Sequence, residues 1–315
     1  MPSIGPFRIS PLCLGANVFG WTASEREAHR LLDAYVGAGG RVVDTADSYS
    51  HWADGHVGGE SEAIVGSWLS RPGRRERIVL ATKVGSKPDR RRLDRPTMRR
   101  ALDDSLARLR TDIVDVWFLH RDDGDTPLEE TAAALAELHR EGKFRALGVS
   151  NFAPGRLDEL VRACAVAGVR PVALQAHYNL LDRDCYEGEL RARARRHGLA
   201  TLPYFGLARG FLTGAYRPGV AIRDSPRAPY AAGYLAEPRG PRTLRALDAV
   251  ARAHRVPVAA VALAWLAQQP TVAAPIASAR NVEQLRSLLP MATLTLTVDE
   301  RRLLASAARP SEPER

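Results

Sequence analysis

Residues 78–84 read Ile-Val-Leu-Ala-Thr-Lys-Val and residues 113–120 read Ile-Val-Asp-Val-Trp-Phe-Leu-His, with Thr-Met-Arg-Arg-Ala-Leu-Asp-Asp-Ser-Leu-Ala-Arg-Leu at 97–109 between them. The two outer runs are apolar on both faces, as strands covered on both sides are, and the middle run repeats its apolar residues at helical spacing. Strand, amphipathic helix and strand in that order form the crossover unit of a parallel sheet.

Working outward, the unit recurs. Apolar runs at 12–15, 42–46, 78–84, 113–120, 146–151, 172–179, 200–205 and 272–277 predict eight strands. Helix-like stretches at 24–36, 61–69, 97–109, 128–140, 156–167, 187–196, 243–254 and 282–289 alternate with them, and a short helix is expected at 298–307. Thr126-Pro127 fits an N-cap followed by a first-turn proline, and Gly142 and Gly168 fit helix stops. Eight such units predict an α/β protein folded as a single (β/α)8 TIM barrel, one domain over residues 1–315. One segment breaks the rhythm: residues 209–242, rich in Pro, Gly and Arg, form a long loop after strand seven, expected to be irregular and to act as a lid or binding insertion. An open doubly wound sheet would carry a glycine fingerprint after its first strand. Here Gly15-Ala-Asn-Val-Phe-Gly20 lacks the GxGxxG spacing, and Trp21-Thr22 follow where a phosphate loop would have Lys-Ser/Thr.

Composition narrows the function. The longest apolar run, 258–267, is about half of the roughly 18 residues a membrane span needs, so no membrane partner is expected. Met1-Pro2-Ser3-Ile4-Gly5 does not read as an export signal, and a cytoplasmic location is expected. Cys13, Cys164 and Cys185 are too few and too far apart for a disulfide framework or a CxxC unit, and read as buried thiols. The net charge is +9, but basic and acidic residues interleave; the densest basic run, Arg191-Ala-Arg-Ala-Arg-Arg-His197, reads as the wet face of a helix, and no nucleic-acid partner is expected. Three lysines, at 83, 87 and 143, stand against 42 arginines. Where this chain merely needs positive charge it uses Arg, so a Lys inside an apolar strand requires a reason specific to a compact ammonium.

In such a barrel, chemistry sits at the C-terminal ends of the strands. Asp44 lies in the second strand, Tyr49 in the loop after it, Lys83 near the end of the third, and His120 at the end of the fourth. Each alone has a structural reading, as core Asp, rim Tyr, snorkelling Lys or capping His. Together at one rim they suit proton donation to a developing alkoxide. A tyrosine is a poor acid near neutrality, and Lys83 is expected to lower its pKa while Asp44 holds the ammonium and His120 hydrogen-bonds the substrate oxygen. The set contains no strong nucleophile and no metal-ligand set, and no metal is expected; a Tyr acid alone points to hydride transfer from a cofactor.

At this point the chain resembles the aldo-keto reductases over nearly its whole length. The matching pieces are Val43-Asp-Thr-Ala-Asp-Ser-Tyr49, Gly59-Glu-Ser-Glu62, Ala81-Thr-Lys83, Leu119-His120, Gly148-Val-Ser-Asn-Phe152, Gln175, Pro203-Tyr204, Gly210-Phe-Leu-Thr-Gly214, Ala277-Ser-Ala-Arg-Asn281 and Glu283-Gln284-Leu285. The resemblance implies a reductase that converts an aldehyde or ketone to an alcohol with NADPH, using Asp44, Tyr49, Lys83 and His120 as a catalytic tetrad. It implies Ser150, Asn151 and Gln175 at the nicotinamide carboxamide, Tyr204 stacked on the nicotinamide ring, and Leu207, Gly210, Arg227, Ser278, Arg280 and Gln284 along the pyrophosphate and adenosine. Arg280 is expected to hold the 2′-phosphate that distinguishes NADPH from NADH. Trp21 and Trp52, on rim loops, are expected as substrate walls. Many members of the bacterial branch resembling the potassium-channel β subunits have Ser-Pro after the stacking aromatic and a Lys after the Thr/Ser-Gly pair; here Phe205-Gly206 and Ala215 stand instead. Arg209, Arg217, Arg223 and Arg227 are the candidates to replace that Lys. The rival reading is an NADP(H)-binding regulatory subunit that senses redox state and docks a partner protein; an isomerase is disfavoured because neither paired acid/base carboxylates nor a metal cage is evident.

Overall fold

The alternation of apolar runs and amphipathic stretches closes on itself. The computed structural model describes residues 1–221 and 227–310. A short antiparallel hairpin, β1 (Ser3–Ile4) and β2 (Phe7–Arg8), precedes β3 (Cys13–Gly15), α1 (Glu25–Gly37), β4 (Val42–Asp44), α2 (Glu60–Leu69), β5 (Val79–Val84), α3 (Arg95–Leu109) and β6 (Val114–Leu119). Then come α4 (Leu128–Arg140), β7 (Phe144–Ser150), α5 (Pro154–Ala167), β8 (Pro171–His177), α6 (Glu189–His197) and β9 (Ala200–Tyr204). The chain ends with α7 (Ala228–Ala236), α8 (Arg239–His254), α9 (Val258–Ala267), β10 (Ile276–Ala277), α10 (Val282–Leu288) and α11 (Val298–Ala307). The eight strands from β3 to β10 pair in parallel in the order β10-β3-β4-β5-β6-β7-β8-β9. A single parallel bridge, Thr201 to Val272, joins the two ends of that order, with the Ala273 N–H donating to the Thr201 carbonyl at 2.8 Å. The result is the (β/α)8 barrel.

Alternation along each strand separates two cores. Cys13, Val42, Val79, Ala81, Val116, Phe118, Ala146, Ala173, Leu202 and Ile276 pack inside the barrel, where Ile4 and Ile9 of the N-terminal hairpin region join them as a plug. The intervening Leu14, Val43, Leu80, Trp117, Leu119, Leu147, Val149 and Leu174 pack outward against the helices. The interior is tight enough that a β-carbon on Gly148 would lie 2.2 Å from the Phe118 ring.

Several expectations change. Most strand ends move by a residue or two, and of the expected strand 272–277 only Ile276–Ala277 joins the sheet as a ladder. The apolar run Val258–Ala267 is a helix with no polar face, buried almost throughout, so its periodicity carries no amphipathic signal. Residues 209–242 are not irregular along their length: α7 lies inside them, and α8 begins at Arg239, ahead of the expected start at Thr243. The two helices meet closely, since a β-carbon on Gly240 would sit 1.9 Å from the Tyr234 carbonyl oxygen. Thr126 does not cap α4; its hydroxyl donates to Asp123 at 2.6 Å, and Pro127 takes the cap position. No single helix is long and apolar enough to cross a membrane.

Candidate active site

The in-out alternation aims the polar residues. Asp44 is two residues beyond inward Val42, Lys83 two beyond Ala81, His120 two beyond Phe118, Gln175 two beyond Ala173 and Tyr204 two beyond Leu202. All therefore fall on the inward phase at the C-terminal ends of their strands. Parallel register places Asp44 beside Ala81, Lys83 beside Phe118 and Ser150 beside Gln175.

Lys83 is 1% exposed, and its ammonium donates to Asp44 Oδ2 at 2.7 Å, to the Thr45 carbonyl at 2.8 Å and to the Tyr49 hydroxyl at 2.7 Å. Three donors meet three acceptors, so the buried charge is fully satisfied. Asp44 accepts at its other oxygen from Gln175 Nε2 at 2.6 Å, and the Tyr49 hydroxyl lies 3.3 Å from its Oδ2. The His120 ring packs edge-on to Tyr49 at 6.0 Å between centroids, and Ser48 Oγ sits 3.4 Å from His120 Nδ1.

The acidity expected of Tyr49 is reversed. Burial, and then the Asp44 carboxylate, push the phenol well above its ordinary value. The Lys83 ammonium is matched at 2.7 Å by Asp44, so the phenol faces a nearly neutral pair rather than a bare cation, and burial dominates. Tyr49 is accordingly protonated at neutral pH. The imidazole of His120 is held well below its ordinary value, by burial first and then by Lys83, Arg121 and His51, and is neutral there.

Around this centre, Asn151 Nδ2 donates to the His120 carbonyl at 2.8 Å and to Ser150 Oγ at 3.0 Å, while its Oδ1 accepts from the Tyr204 hydroxyl at 2.7 Å. Asn151 has φ +56°, a left-handed conformation that Asn tolerates. Tyr204 stacks on His177 at 5.6 Å and 20°. Trp21 and Trp52 meet edge to face at 5.7 Å, and Trp52, 42% exposed, stands 6.1 Å from the Tyr49 ring. Farther round the rim, Ser278 Oγ bonds Asn17, for which no motif or spacing predicts a role, and a β-carbon on Gly15 would lie 2.8 Å from that oxygen. Arg280 and Gln284 lie at the start of α10, where Gln284 Oε1 accepts from the Arg280 N–H at 3.0 Å.

The four arginines that could replace the missing Lys separate. Arg217 forms two 2.8 Å bonds to Asp248. Arg209 is sandwiched between Phe205 and Tyr230, 4.4 and 4.0 Å from their ring centres. Arg227, its Cδ 4.0 Å from where a Gly210 β-carbon would lie, is pulled below its ordinary value by burial, with Arg280 and Arg209 acting in the same direction. Leu207, two residues before Arg209, sits at the cap of the turn Ala208–Thr213. Arg223 lies outside the described residues.

Asp47, between Asp44 and Tyr49 in the chain, carries no role that the sequence predicts. It is 1% exposed, with neither carboxyl oxygen hydrogen-bonded among the described residues. Burial and then Glu62 push it up to about 8, against opposing pulls from Arg108, Lys87 and Lys83. Between its unfolded value of about 4 and that folded value, the native state binds the extra proton, so the stability tied to this group falls as pH rises across the interval. Asp47→Asn is expected to raise the melting temperature at pH 8 more than at pH 5. Thermal melts at the two pH values check this, and a variant no more stable at pH 8 than the wild type removes Asp47 as a source of strain.

Comparison with known proteins bears on the family. The model of the Aldo/keto reductase family matches residues 11–309. The chain is similar to the "Uncharacterized oxidoreductase YrpG" of Bacillus subtilis, at 35% identity over 94% of this chain and 91% of the relative. It is 33% identical to "Protein tas" of Escherichia coli over 92% of each chain, and 32% identical to the "6-dehydroglucose reductase" of Novosphingobium aromaticivorans over 88% of this chain and 84% of that one. A barrel with its polar residues gathered at one rim, matched by that family model over nearly the whole chain, means that this chain belongs to the aldo/keto reductase family, oxidoreductases that reduce carbonyl groups with a nicotinamide cofactor.

Proposed function

We propose that this enzyme reduces an aldehyde or ketone to an alcohol with NADPH, with Tyr49 as proton donor. The observation that carries the reading is the buried Lys83 ammonium, 2.7 Å from both Asp44 and the Tyr49 hydroxyl. The bound cofactor supplies the hydride. As the carbonyl oxygen gains charge, the Tyr49 O–H bond breaks and its proton passes to that oxygen, leaving a phenolate within hydrogen-bond reach of the ammonium. Asp44 orients the ammonium, and neutral His120 offers a ring N–H to the substrate oxygen. Trp21 and Trp52 wall the substrate side.

The residues on hand fit such a cofactor. Tyr204 supplies an aromatic face beside Ser150 and Asn151, and Gln175 ties the same rim to Asp44. Ser278, Gln284, Leu207, Gly210 and Arg227 line the path to Arg280, and Arg209 and Arg280 both act on the buried Arg227, a concentration of positive charge suited to phosphate. Arg280 is exposed, with no carboxylate partner among the described residues.

Following NADPH absorbance across a panel of carbonyl compounds tests the activity; tight NADPH binding with no turnover of any of them would favour a regulatory subunit instead. In the same assay, Arg280→Ala is expected to weaken NADPH binding by about 1.5–3 kcal/mol, the scale of a charge-assisted hydrogen bond, and to leave NADH binding nearly unchanged. Equal losses for the two cofactors would show that Arg280 does not read the 2′-phosphate.

A further inference from the structure

The basic run 191–197 is not a uniformly solvated face. On α6, Arg193, Arg196 and His197 turn toward α5 and gather on Asp158, at 2.8, 3.8 and 2.6 Å. Arg191 and Arg195, one helical turn apart, point to the other side. Neither forms a salt bridge among the described residues, although many of the chain's other arginines do; Glu187, which feels the Arg191 charge, is itself held bidentate by Arg183.

Both line a cleft of about 650 Å³ between α6 and the turn at Pro270 and Thr271, with Ala192 and Gly188 on its wall and Arg196, held at 3.8 Å by Asp158, at its edge. Thr271 faces it from a backbone at φ +71°, a conformation costly for a β-branched residue. That conformation is held by the Thr201 N–H, which donates to the Thr271 carbonyl at 2.9 Å, and by a 2.5 Å hydroxyl bond from Tyr186. The cleft opens at the N-terminal end of β9, across the barrel from Lys83 and Tyr49.

We propose that this cleft binds a phosphate monoester. Two guanidiniums outside any salt bridge among the described residues match a dianion, their planar forks suit its oxygens, and Pro270 and Ala192 offer apolar surface to the esterified group. A monocarboxylate would leave one arginine uncompensated. The site is separate from the proposed catalytic centre and does not depend on that reading.

The test is calorimetric titration of the full chain, saturated with NADP+, with phenyl phosphate and, in a parallel arm, with benzoate. Phenyl phosphate is expected to bind with a dissociation constant of about 1 mM or below at low salt, and benzoate far more weakly. Arg191→Gln and Arg195→Gln are each expected to weaken phenyl phosphate binding about tenfold or more with unchanged melting temperature. Binding that persists in both variants, absence of binding to the wild type, or equal affinity for benzoate overturns the site. Should either variant unfold, phenylglyoxal labelling of the wild type decides: phenyl phosphate must protect Arg191 and Arg195, and labelling unaffected by it overturns the proposal.

Discussion

Tyr49→Phe is expected to lower the turnover of a carbonyl substrate by about 100-fold or more while leaving cofactor affinity within a factor of about two. Only the hydroxyl is lost. The ring keeps its packing against Trp52 and His120, and the acceptor it withdraws from Lys83 is one of three. Steady-state kinetics with a separate titration of the cofactor measure both quantities, and a variant retaining half the wild-type turnover removes Tyr49 from the chemistry. The pH profile adds an independent check. Because burial and Asp44 raise the phenol well above its ordinary value, the donor stays protonated below that raised value and is lost only as pH climbs through it. Reduction should therefore show no fall from Tyr49 between pH 7 and the ordinary tyrosine value of about 10. A fall centred below 9 that disappears in Tyr49→Phe would mean that Lys83 acidifies the phenol after all.

Replacing Lys83 is expected to be as damaging, and Arg should rescue little. The ammonium is buried, and each of its three N–H bonds already has an acceptor between 2.7 and 2.8 Å away. A guanidinium is planar, larger and rigid, and cannot direct donors from one point toward Asp44, the Thr45 carbonyl and Tyr49. Lys83→Arg should lose activity nearly as far as Lys83→Met, by about 100-fold or more. Lys83→Met also leaves the buried Asp44 carboxylate without its cation, a loss on the order of 3–5 kcal/mol of stability. Adding Asp44→Asn should return much of that stability and none of the activity. Denaturant unfolding read beside turnover separates the two effects; an active Arg variant would show that charge alone suffices.

The scarcity of lysine makes Lys83 conspicuous in the sequence alone, and its place at the end of an apolar run puts it at a barrel rim. Period-two alternation then carries Asp44, Lys83, His120 and Gln175 to the same inward phase, because neighbouring side chains on a strand must point oppositely. Residue order and strand period thus suffice for the barrel and for the company these side chains keep. The fully apolar helix α9 and the short helix α7 escape such a reading, the first because a segment buried all round has no period to read, the second because proline and glycine around it signal a loop.

What the chain order does not contain is the sharing of charge across strands. Whether Lys83 acidifies Tyr49 depends on how much of its field Asp44 absorbs and how deeply the phenol is sunk, quantities set by distances among two strand ends and a loop. The carboxyl of Asp47, without a hydrogen-bond partner among the described residues, depends likewise on what α2, α3 and β5 bring around it. Which arginines of one run gather on Asp158 and which face the cleft without a salt bridge among the described residues depends on which sides of α6 the neighbouring elements cover. Alternation follows from bonded geometry and is written locally. Electrostatic outcome follows from through-space distance and burial, and those exist only once the barrel has closed.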